Sequence, residues 1–191
     1  PDVSNDPIIT SGSTAFAEQM RLEGGSHLTI SSGAVLEVDN SEGVIIRSSG
    51  RIDNYGDLMI GQTFGNTAQG WDGIENLGEF YNYSGARIYI DNSGEDALSI
   101  TPIATFTNQG EIFIGRNGTI LNTGLVNRGM FLNDGGTIVI DDVTHKGLLN
   151  VDAGEFSNSN NGLIQIGMEG GDTQLEALLN AIDSSTFWND A

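Results

Sequence analysis

Four aspartates, Asp91, Asp96, Asp141 and Asp142, are the residues of this chain best suited to chemistry. Asp91 and Asp141 each follow an Ile-x-Ile segment, Ile88-Tyr-Ile90 and Ile138-Val-Ile140. Equivalent positions in a repeating fold would stack them at one corner of neighbouring repeats. Carboxylates brought together repel unless a cation bridges them, and clustered oxygens suit calcium. These four residues therefore make a candidate calcium site. Acid pairs can also hydrolyse glycosidic bonds. Other catalytic material is scarce. The chain has no cysteine, and its two histidines, His27 and His145, have no sequence neighbour that suggests a zinc site or a triad. No nucleophile elbow, phosphate-binding loop or dinucleotide fingerprint occurs. The expectation is a non-enzyme that needs no cofactor, with calcium as the one ion to test.

Charge narrows the partners. The sequence has 26 acidic residues against seven Lys and Arg, a formal net charge of -19. Phosphate backbones are bound through clustered cations, so nucleic acid is excluded as a partner. No apolar run approaches the roughly 20 residues of a membrane span, so membrane insertion is not expected either. The acidity suits an extracellular setting. The chain starts at Pro1 without a signal peptide, which fits a mature, processed polypeptide or an excised segment.

The elements that position these residues are repetitive. With 38% apolar residues and 27 glycines, the composition would suggest disorder if it were aperiodic. Instead, an apolar-x-Asn-x-Gly-x-apolar template recurs. It reads Ile52-Asp-Asn54-Tyr-Gly56-Asp-Leu58, Ile74-Glu-Asn76-Leu-Gly78-Glu-Phe80 and Phe106-Thr-Asn108-Gln-Gly110-Glu-Ile112. Leu125-Val-Asn127-Arg-Gly129-Met-Phe131 is a further copy, and Leu148-Leu-Asn150 with Gly154-Glu-Phe156 is a stretched one. A Gly and a short alternating strand follow, and the strand ends Ile90, Ile114, Ile140 and Ile166 are 24, 26 and 26 residues apart.

That period is one turn of a β-solenoid built from short strands and tight corners. The fold class predicted is all-β, a single-stranded parallel β-helix with coils of about 24–26 residues. Asn54, Asn76, Asn108, Asn127 and Asn150 mark corners, where side-chain amides of successive coils can bond in a ladder. Phe80, Phe106, Phe131 and Phe156 predict an interior stack. Residues 1–21 carry little periodicity and read as a cap or a connector between subunits, and residues 22–171 form the solenoid. Residues 172–191 read as a short capping helix and tail, with Leu175, Leu178, Leu179 and Ile182 on one stripe.

The pattern from about Val38 to Gly167 resembles Asn/Gly-rich parallel β-helix segments of bacterial extracellular adhesins and fibre proteins. The resemblance implies export to the cell surface or medium and a role in attachment or matrix building. Open coil ends suggest head-to-tail self-association into filaments. A monomeric surface adhesin or carbohydrate-binding module is the alternative. In that case Tyr55, Phe64 and Trp71 are the aromatic residues to consider for a carbohydrate or other cell-surface ligand. Polysaccharide lyase or hydrolase activity fits less well, since Arg87, Arg116 and Arg128 are scattered relative to the acids.

Overall fold

A computed structural model describes residues 6–39, 43–62, 71–167, 176–180 and 186–189. Phe64 and residues 1–5 lie outside this set, as do residues 172–175 and 181–185 of the expected capping helix. The described residues form three parallel sheets of eight, seven and seven strands. Each coil contributes one strand to each sheet. Arg51–Asn54 belongs to sheet A, Asp57–Ile60 to sheet B and Ile74–Asn76 to sheet C. The next coil supplies Glu79–Asn82, Arg87–Ile90 and Leu98–Ile100 in the same order.

The physical reason for this repeat is the period-2 pattern. In Asp57–Ile60, Leu58 and Ile60 point inward and are fully buried, while Asp57 and Met59 face out. A parallel strand one coil later matches residue for residue, Leu58 to Ile88 and Ile60 to Ile90. Like therefore stacks on like. In sheet A, Phe80, Phe106, Phe131, Phe156 and Phe187 lie in one file, with centroids 4.7–5.0 Å apart. Stacked aromatic pairs of this kind contribute about 1 kcal/mol each beyond the area they bury.

The first and last segments join the same architecture. Ile8–Ile9, Thr14–Ala17 and Met20–Leu22, which lie within or at the edge of the N-terminal segment, pair with the following coil in sheets A, B and C. At the other end the expected helix is corrected for residues 176–180, which form a sheet C strand. Leu178, Leu179 and Asn180 register on Leu148, Leu149 and Asn150. The tail repeats the Leu-Leu-Asn of the preceding coil, and the ready-made parallel edge outweighs its helical stripe. Thr186–Asn189 then pairs in sheet A, setting Phe187 on Phe156 and Asn189 on Asn158.

Candidate functional site

The asparagines divide between two corners. At the corner from sheet A to sheet B, Asn54, Asn82, Asn108, Asn133, Asn158 and Asn189 form one continuous file. Each Nδ2 donates to the next Oδ1, over 2.6–2.9 Å. Asn76, Asn127 and Asn150 occupy the corner from sheet C to sheet A. There Asn127 donates to Asn150 Oδ1 at 2.8 Å, whereas Ile100 registers between Asn76 and Asn127 and interrupts the file. The sequence template is thus shared by two of the three corners. Asn82 and Asn158 escaped it because the template also demands a Gly two residues later, and Asn133, which has Gly135, escaped it because Thr137 stands where the template closes on an apolar residue. Apart from the terminal, exposed Asn189, these side chains are buried but hydrogen-bonded, so their desolvation is offset.

The aspartates do not assemble into one cluster. Ile90, Ile114 and Ile140 are in register, so the position after them runs Asp91, Gly115, Asp141. The expectation that Asp91 and Asp141 stack in neighbouring coils is corrected. Gly115 intervenes at a φ of 69°, and two strand spacings put the acids about 10 Å apart. Asp91 accepts from Gln62, and from the backbone N–H and Nδ2 of Asn117, both at 3.2 Å. Asp142 accepts from Thr119 Oγ1 at 2.7 Å. Asp96 accepts from Asn122 Nδ2 at 2.8 Å and the Thr123 N–H at 3.1 Å. Among the described residues, no three acidic or histidine side chains converge on one point that could hold a metal ion.

Asp96 also meets Asp72 of the preceding coil, an acid that the Ile-x-Ile pattern does not mark. The Asp96 N–H donates to Asp72 Oδ1 at 3.1 Å. Burial and the Asp96 charge push the Asp72 carboxyl up to about 7. Burial raises Asp96 too, against the opposing bonds from Thr123. The available signal was local: Asp72-Gly-Ile74 and Asp96-Ala-Leu98 both place an Asp two residues before a sheet C strand.

The richest side-chain cluster lies on the outward face of sheet A. His27 Nε2 is 2.6 Å from Asp53 Oδ2, and Arg51 donates to both Asp53 oxygens at 2.8–3.1 Å. Tyr83 donates its hydroxyl to Asp53 Oδ1 at 3.2 Å. The Arg51 guanidinium lies 4.4 Å from the Tyr81 ring centroid, and Tyr55 stacks on Tyr83 at 4.1 Å with 5° between planes. Asp53 is buried although it points outward. Burial raises its pKa, but the bonds from Arg51 and His27 outweigh this and hold it below the usual carboxylate range. Burial, followed by the Tyr55 hydroxyl and the Asp53 charge, moves the Tyr83 phenol up. No neighbour of His27 in sequence foretold this, because its partner lies 26 residues away, one coil on.

A parallel three-sheet β-solenoid with polar corner ladders and an ordered outer-face cluster is the class this geometry defines. The chain belongs to the family described as the hyphally regulated cell wall protein N-terminal domain, whose model matches residues 9–174. No curated protein and no solved structure gives a significant match. Membership in a cell wall protein family fits a cell-surface or extracellular protein built on a β-solenoid.

Proposed function

We propose that this chain is a non-catalytic structural domain of the cell exterior that associates head to tail into fibres or a matrix. The observation that carries the proposal lies at the two ends of the described core. The partly buried hydrophobic residues that pack on the core sit at its two ends, Ile9, Ala15 and Met20 at one, Ile164, Ile166 and Phe187 at the other. Among the described residues, the outermost strands of all three sheets pair on one side only. Unpaired parallel edges above an apolar interior are templates for a further coil. A second copy presents such a coil, and repeating that operation gives an open filament. Assembly of this kind needs no cofactor. Electron microscopy of the purified protein tests it: filaments are expected, and dispersed particles at all concentrations would refute it.

The second reading is a monomeric surface adhesin or carbohydrate-binding module. The ordered Tyr55–Tyr83–Arg51–Asp53 cluster favours it, since nothing in the packing of the solenoid calls for such a group. Incubation with acidic polysaccharides separates both readings from a lyase or hydrolase, which would shorten the polymer.

A further inference from the structure

We propose that the free face of Tyr55, together with the cluster beside it, binds a pyranose unit of a neutral polysaccharide. The proposal deepens the surface-binding reading and is independent of polymerisation.

Three of the four tyrosines in the chain, Tyr55, Tyr81 and Tyr83, gather at this one place. The fold does not require them. The corner row that carries Tyr55 and Tyr83 has Ser31 in the coil before and Gln109 in the coil after, each joined through the same backbone bonds. The outer row that carries Tyr81 has Asp53 before and Thr107 after. That outer row also holds Leu132 and Trp188 in later coils, so it is the corner row, with its stacked Tyr55–Tyr83 pair between Ser31 and Gln109, that sets these two coils apart.

Tyr83 covers one face of Tyr55 at 4.1 Å. On the other side the row continues with Ser31, since Tyr55 N–H donates to Ile30 O at 2.8 Å. A serine is too short to cover a phenol ring, and Tyr55 is 41% exposed. The ring thus presents a flat face in a fixed orientation. A pyranose lays its C–H face on such a surface, and its hydroxyls then reach the polar groups around the rim. Those groups are held in place. Tyr83 is bonded to Asp53, and Asp53 in turn is bonded to Arg51 and His27. Side chains already ordered lose little entropy when a ligand arrives.

Charge selects a neutral saccharide. The chain carries a formal net charge of -19, which repels polyanions. Arg51 is already engaged by Asp53 at 2.8 Å and lies 3.6 Å from Glu79, so it is not free to pair with a uronate.

The test is isothermal titration with neutral hexasaccharides of glucose and of N-acetylglucosamine, with hexagalacturonate as the charged comparison. At least one neutral probe should bind saturably, and the charged one about tenfold more weakly or not at all. Tyr55→Ala should weaken binding by about tenfold, while Tyr55→Phe, which keeps the ring, should stay within about threefold. Trp188→Ala removes another exposed aromatic residue of sheet A, 65% exposed, and should bind like the parent. Thermal melts of each variant confirm the fold. The proposal is overturned if neither neutral probe saturates at millimolar concentration, if Tyr55→Ala binds as well as the parent, or if hexagalacturonate binds as tightly. Micrographs of the same samples judge polymerisation separately: a failure to form filaments refutes that reading and leaves the titration to decide this one.

Discussion

The Asp96 N–H donates to the Asp72 carboxylate at 3.1 Å, which sets two acidic residues of successive coils against each other in a partly enclosed corner. The nearest carboxylates, Asp96, Glu95 and Glu75, all oppose ionisation of Asp72, and burial opposes it most. The folded protein therefore holds a proton on Asp72 up to pH about 7, against an ordinary value of 3.8. The unfolded chain has released that proton by then.

From this the pH dependence follows. Between the unfolded and folded pKa values the native state binds the extra proton, so the contribution of Asp72 to stability falls as pH rises from about 4 to 7. Asp72→Asn keeps an acceptor for the Asp96 N–H and removes the charge. It should raise stability at pH 8 by on the order of 2 kcal/mol and change it little at pH 4. Thermal melts of both proteins across this range check it, and equal pH profiles would refute the assignment.

The asparagine file makes a second prediction. Asn108 accepts from Asn82 Nδ2 and donates to Asn133 Oδ1, both at 2.7 Å. Asn108→Leu leaves two buried amides short of a partner in coils on either side. A loss of about 2–5 kcal/mol is expected in urea denaturation, above the cost of a single missing bond.

Close backbone approach gives a third. A Cβ on Gly78 would meet Gly50 O and lie 2.8 Å from Arg47 O, one coil below. Gly50 O accepts the Glu79 N–H of the next coil and Arg47 O accepts the Gly50 N–H of the corner turn, so neither carbonyl can retreat without losing a hydrogen bond. Gly78→Ala should lower the melting temperature by several degrees, corresponding to about 1–3 kcal/mol. Gly85→Ala is the comparison for space: a Cβ there meets nothing within 4 Å, although its φ of 84° still carries a backbone strain.

Calcium is decided by titration. Asp91, Asp96 and Asp142 already accept protein N–H or O–H groups, and Asp141 lies two coils from Asp91. Adding calcium to millimolar concentration should leave the unfolding midpoint unchanged, as should adding a chelator. A rise of several degrees would identify a binding site through linkage.

The open ends supply the last prediction. Phe187→Asp places a charge on the partly buried last described ring of the phenylalanine file, where Phe187 rests 5.0 Å from Phe156. Deleting residues 1–21 removes the opposite rim. Either change should abolish filaments in micrographs, while Trp188→Asp, which alters the outward face, should leave them intact.

Much of this architecture was present in residue order alone. Alternation in segments such as Asp57–Ile60 dictates one buried and one exposed face, and a near-constant spacing dictates coils that stack in parallel. The phenylalanine file follows directly, because identical positions in parallel coils must superimpose. Contacts between coils were less accessible. His27 with Asp53, and Tyr55 with Tyr83, lie 26 and 28 residues apart in positions that only a register can match, and insertions between repeats shift that register. The same template at two corners could not reveal that Asn54 and Asn76 belong to different files. The tail shows the limit most plainly. Leu175 to Ile182 has a helical stripe in isolation, yet residues 176–180 form a strand, because an exposed parallel edge supplies backbone partners that local propensity cannot foresee. Sequence by itself determined the period and the inward faces, which are local. The tertiary structure decided which distant side chains meet, because that depends on summed corner lengths and on the edge each strand finds.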